Sequence, residues 1–181
     1  IRWHVRDDGR TWNRTLFDPE TGEAVEHYNA LAYSDDTCWA RGQGWVTAGL
    51  SYTYNATRAP RFLDALEKVV GYYSTNAPDD LVPYWDFEDP AIPDAPRDTS
   101  AAAIAAYGLL RLDAVDERTE ALRATGAAIL DSLLSDYLVT QGDRRGAIEH
   151  GCYVKPSEYA VDNELIWTQY YVAWTLHRLL E

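Results

Sequence analysis

Three nearly unbroken apolar runs, set about sixty residues apart, constrain this chain more than any other feature. WVTAGLSYTY (45–54), AAAIAAYGLL (101–110) and LIWTQYYVAWTL (165–176) are apolar almost all round, the pattern of helices buried on most faces. Each follows a similar pair: Asp36-Thr37, Asp98-Thr99 and Asp162-Asn163. The interval is 62 residues from 36 to 98 and 64 from 98 to 162. A recurrence of that length describes a helix pair plus a long loop, repeated. Between the apolar runs lie amphipathic stretches. Phe62, Leu66, Val69, Val70 and Tyr73 form one stripe; Leu122, Ala128, Ile129, Leu133 and Leu134 form another. The pattern therefore predicts helices over 37–56, 60–76, 99–112, 116–138 and 163–180, with inner helices alternating with outer ones. The long loops 77–98 and 139–162 both lead into inner helices, so both fall at one end, where a site is usually built.

The first 36 residues lack a helical period. TWNRTLFDPETGEAVEHY reads as two short strands around a turn at Asp18-Pro19-Glu20-Thr21-Gly22. The expected fold class is all-α, with residues 1–181 as one domain carrying an N-terminal β-hairpin-like segment. Three repeats can curve but cannot close a ring. A closed toroid of six pairs at this period needs about 370 residues, so the chain is expected to be about half of one, with apolar inner faces left exposed. It starts at Ile1 and contains no Met, which fits either processing or truncation.

Charge narrows the function classes. Asp plus Glu number 29 against 16 Lys plus Arg, a net charge of −13. Phosphate binding needs a basic face, so nucleic acid is excluded as a partner. The acidity serves solubility or, in the sharper reading, adaptation to high salt. No run of 18 apolar residues exists to span a membrane, and the polar opening IRWHVRDDGR is no secretory signal, so a cytoplasmic location is expected. Cys38 and Cys152 stand in no zinc-binding spacing, and no metal is expected.

The candidate site begins with SDDTCWARGQGW (34–45). Arg41 and Trp45 lie four apart, on one helix face in its first turns. A guanidinium and an indole there can seat a carboxylate carried on a sugar ring. The plainer alternative is an Arg paired to Asp35 or Asp36 beside a core Trp. VPYWDFEDP (82–90) and PRDTS (96–100) gather carboxylates and aromatics, the material of a general acid or base. Asp98 and Asp162, however, have the position and type of helix N-caps. His150, in HGCYVK (150–155), is more readily structural than catalytic.

WARGQGW, VPYWDF, PRDTSAAAIAAYGLLRL and DNELIWTQYY, in this order and spacing, resemble glycoside hydrolase family 88, the unsaturated glucuronyl hydrolases. The resemblance covers essentially the whole chain. It implies an (α/α)6 toroid and a substrate that is an oligosaccharide ending in a 4,5-unsaturated uronate. An aspartate protonates C4 of that uronate while water adds at C5, with no metal or organic cofactor. The two aspartates credited with this lie upstream of Ile1, so no catalytic residue is assigned here, to Asp86 and Asp98 least of all. The missing N-terminal half would be needed to close the barrel and to supply activity. Arg41 and Trp45 match family positions that contact substrate. Where relatives often carry His-Gln, this chain has Ala30-Leu31, and a substrate-facing His aligns near Asn13. HGCYVK lacks serines that similar enzymes use for sulfated substrates, which favours a non-sulfated one. The nearest alternative is an unsaturated rhamnogalacturonyl hydrolase, whose motif reads WARGNGW, against which Gln43 argues. A truncated, non-catalytic carbohydrate-binding remnant is the other.

Overall fold

In a computed structural model, residues 1–180 are described. Five helices follow a small antiparallel hairpin: β1 (Arg14–Phe17), β2 (Ala24–Tyr28), α1 (Ala40–Thr57), α2 (Pro60–Asn76), α3 (Thr99–Leu110), α4 (Glu117–Asp136) and α5 (Ile166–Leu180). A 3-10 turn at Lys155–Ser157 interrupts the last loop. In the hairpin Arg14 faces Tyr28 and Leu16 faces Glu26. Its turn is the expected one: Asp18 Oδ1 accepts from the backbone N–H groups of Glu20 and Thr21, each at 2.8 Å. Gly22 then supplies the left-handed φ of 71°.

Local chemistry sets most helix ends. Pro60 occupies the first turn of α2, where its missing N–H costs nothing. Arg58, left-handed at φ 54°, closes α1 with its N–H on the Tyr54 carbonyl. Asp116 and Thr119 form a capping box at the start of α4. Asp98 caps α3 as expected, accepting from Ser100 N. Asp162 does not cap α5, which starts four residues later at Ile166. Asn163 is instead held extended in an antiparallel bridge with Gly151, so the chain there cannot turn helical. Residues 37–39 are likewise outside α1, because Trp39 bridges Asp86.

Helix α3 is the centre of the packing, against α1, α4 and α5, while α2 backs α1. Alanines 101–103, 105 and 106 are buried, and small residues allow backbones to approach closely: a Cβ on Gly108 would lie 2.4 Å from Ala48 Cα. Leu63, Leu66, Val69, Val70 and Tyr73 of α2 and Leu122, Ile129, Leu130 and Leu133 of α4 complete the core. Three predicted stripe positions differ. Phe62 and Leu134 are only partly buried, Leu63 taking the core position on α2, and Ala128 faces solvent while Leu130 is inside.

Among the described residues α3 is the most enclosed helix, with all but Tyr107 and Leu110 buried. Helix α1 exposes Trp45 and Tyr52, and α5 exposes Ile166, Tyr170, Trp174 and Leu179, so the apolarity of these two helices exceeds what their neighbours within the chain cover. Inner (α1, α3, α5) and outer (α2, α4) helices alternate as the repeat predicts. Among the described residues no helix is long and apolar enough to cross a membrane.

Candidate functional site

Both long loops meet the N-terminal ends of α1 and α3. Trp39 bridges Asp86 and Tyr84 bridges Arg97. From the second loop, the carbonyls of Glu149 and His150 accept from Thr99 Oγ1 and Thr99 N. Arg41, in the first turn of α1, lies at the centre of this junction with its side chain 4% exposed.

Its guanidinium is held by four acceptors. Nη1 donates to Asp98 Oδ2 at 3.0 Å, to Ser100 Oγ at 3.1 Å and to the Cys152 carbonyl at 2.5 Å. Nη2 donates to the Tyr153 carbonyl. The rings of Trp39, Tyr153 and Trp167 surround it, at 4.7, 5.7 and 5.5 Å from Cζ, close enough for cation–π attraction. Neither sequence-adjacent carboxylate is its partner, which corrects the plainer alternative. Asp35 Oδ1 accepts from Asn29 N, and Asp36 serves through its carbonyl, which takes Arg6 and Arg10. Among the described residues Nε–H has no acceptor and Nη2 has one for its two hydrogens, which leaves donors for a ligand carboxylate.

Trp45, one turn further along α1, is 41% exposed and is not a core residue. It meets the ring of Tyr171 edge-on at 5.6 Å, and Tyr171 meets Tyr107 at 4.9 Å. An aromatic line thus runs across α1, α5 and α3. The sequence did not single out Trp39, Tyr153 or Trp167 as members of the Arg41 cage. All three stand within quoted motifs, but a gap of fourteen residues carries no sign that the rings of Tyr153 and Trp167 meet, at 5.0 Å.

The acidic loop residues are closed in. Asp86 is fully buried and accepts from Tyr33 N, Thr37 Oγ1 and Glu88 N. Burial pushes its carboxyl upward against those donors. Burial likewise raises Asp98, opposed by the Arg41 charge and by Ser100 and Cys152; every one of its partners is a donor, so it is bound as a carboxylate. Asp89 accepts from the Trp85 indole. These carboxylates fasten loops. His150 pairs through Nδ1 with Asp162 at 2.8 Å, both side chains at least half exposed, on the rim of the junction.

A second polar knot was not legible in sequence. Asp80 Oδ2 accepts from Tyr137 Oη at 2.7 Å and from Arg97. Partial burial works to raise this carboxyl, but the Tyr137, Val82 and Arg97 hydrogen bonds prevail and hold it below the usual range. Gln43 is also structural: its amide spans the carbonyls of Gly9 and Val69 at 2.7 and 3.0 Å and accepts from Cys38 Sγ. Leu31 packs on the small apolar cluster of Ala32, Trp39, Trp85, Ala95 and Cys152, next to the cage. Asn13 Oδ1 is buried without a donor among the described residues. Cys38 and Cys152 are both free, and no three metal-binding side chains cluster among the described residues.

A family model described as Glycosyl Hydrolase Family 88 matches residues 4–181. An unsaturated chondroitin disaccharide hydrolase of Streptococcus pneumoniae is 37% identical over 174 residues, covering 92% of this chain and 43% of that enzyme. The structure of an unsaturated glucuronyl hydrolase from Bacillus sp. GL1 superimposes with a TM-score of 0.90 at 30% identity, over 98% of this chain and 48% of that one. A Streptococcus agalactiae unsaturated glucuronyl hydrolase mutant, complexed with dGlcA-GalNAc6S, matches at 32% identity with a TM-score of 0.82, over 98% and 48%. The chain thus spans about half the length of these relatives.

Proposed function

Because the chain belongs to glycosyl hydrolase family 88, whose solved members include (α/α)6 toroids of which it matches about half, we propose that the protein removes 4,5-unsaturated uronate from the non-reducing end of oligosaccharides. In that reaction a general acid delivers a proton to C4 and water adds at C5. The resulting hemiketal opens, releasing the remaining sugar as an alcohol, with no change in overall oxidation state. The observation that carries the reading is the placement of Arg41 and Trp45. They stand one turn apart where both long loops converge, the first with Nε–H lacking an acceptor among the described residues and the second with its ring exposed. Arg41 would fork the uronate carboxylate, and Trp45 would lie against a sugar ring.

The general acid is assigned to the part of the family's length that the chain does not span, because Asp86 and Asp98 are fully buried and committed to donors. The same part is proposed to cover the exposed faces of α1 and α5. Residues 1–181 alone should accordingly be inactive and should self-associate. The net charge of −13 is read as adaptation to high salt.

Kinetics on an unsaturated disaccharide, followed by loss of the double-bond absorbance in the full-length protein, test the site. Arg41→Lys preserves a cation beside Asp98 but not the fork. It should cost about 2–4 kcal/mol of transition-state binding, or about 30- to 700-fold in kcat/KM. A near-wild-type value would remove Arg41 from the substrate site, and absence of turnover by the wild type would remove the activity.

A further inference from the structure

We infer that Asp98 is the positioning residue that aims Arg41 at the uronate carboxylate, an inference that rests on the reading of Arg41 given above. Asp98 has no exposed surface, so it touches no ligand. Its two oxygens are divided between tasks. Oδ2 takes Nη1 of Arg41, while Oδ1 takes Ser100 N at 3.1 Å, Ser100 Oγ at 2.5 Å and Cys152 N at 3.2 Å. The carboxylate therefore grips the guanidinium directly. It also fixes Cys152, the residue whose own carbonyl, with that of Tyr153, holds Arg41 from the loop side.

Ser100 closes the arrangement. Its hydroxyl donates to Asp98 and accepts from Arg41 Nη1, so one proton orientation serves both. Because Asp98, Ser100 and Cys152 all take Nη1, the guanidinium is held at that corner and its orientation is restrained. The donors left for a ligand are Nε–H and the second hydrogen of Nη2. A carboxylate fork tolerates little angular error, since both N–H···O bonds must align at once. A misplacement of about 1 Å can cost roughly 10²-fold.

The test compares two substrates, an unsaturated disaccharide with a free uronate and its methyl ester, in the full-length wild type, Asp98→Asn and Ser100→Ala. Asp98→Asn keeps size and a cap acceptor while removing the charge that orients Nη1. Its KM for the free acid should rise about 10- to 100-fold with kcat less affected, and the preference for acid over ester should collapse. Ser100→Ala, which leaves the charge in place, should shift the same ratio by a smaller factor. A purely structural role would lower the active fraction for both substrates equally and leave their ratio intact. Folded Asp98→Asn, or Ser100→Ala should Asp98→Asn not fold, that keeps the wild-type acid-to-ester preference overturns the inference. A wild type with no such preference overturns the Arg41 reading instead.

Discussion

Gly108 and Gly71 should respond in opposite directions to the same substitution. Both are helical glycines, and replacing Gly by Ala in a helix interior gains about 0.8–1.0 kcal/mol from backbone entropy alone. On α2 a Cβ at Gly71 meets nothing within 4 Å, so Gly71→Ala should realise the whole gain. On α3 a Cβ at Gly108 would lie 2.4 Å from Ala48 Cα, 2.9 Å from Ala48 N and 3.0 Å from Ala48 Cβ. The obstacle is backbone, which cannot swing aside as a flexible side chain would. Helices α1 and α3 would have to part by about 1 Å, and overpacking of this kind costs about 1–3 kcal/mol. Contact with backbone puts it at the upper end, leaving about 2 kcal/mol of net destabilisation. The two variants should thus differ by about 3 kcal/mol, or about 6–12 °C in midpoint for a chain of this size. Urea and thermal unfolding by circular dichroism measure it. Gly108→Ala at or above the wild-type midpoint would refute the close α1–α3 approach, and with it the placement of Arg41 relative to Asp98.

Both thiols should be silent in the native protein. Burial pushes Cys38 and Cys152 up to about 12, so a thiol reagent at pH 8 should titrate neither until denaturant is added and then both; fast native labelling would contradict the buried placement. Salt should stabilise. Raising KCl from 0.1 to 1 M shortens the Debye length from about 10 to about 3 Å. With 29 acidic against 16 basic groups, the melting midpoint should climb by well over a degree or two, and a flat response would end the high-salt reading.

Much of the architecture was legible because the deciding forces were local. Pro60 fixes the start of α2, Asp98 the start of α3, and the Asp18 turn the hairpin; each needs neighbours only two or three residues away. Where long-range pairing competes, the reading failed. The pairs at 36 and 162 resemble that at 98, yet Asp36 offers its carbonyl to Arg6 and Arg10, and Asp162 meets His150. Helix α5 begins late because Asn163 bonds to Gly151 across the loop. In the site, Arg41 and Trp45 could be grouped by helical spacing. Gln43 could not be separated from them by spacing, although its amide points back to Gly9 and Val69. Nothing near Arg41 in sequence names Asp98 or Cys152, because side-chain direction and loop path decide that meeting.

The acceptors of Arg41 stand 57 to 112 residues from it along the chain. Loop closure over such separations is expensive in entropy and is compensated only when the intervening helices are already packed. The cage around Arg41 should therefore form late in folding, after helicity has recovered. During refolding, the capacity to recognise a carboxylate should lag the far-ultraviolet signal.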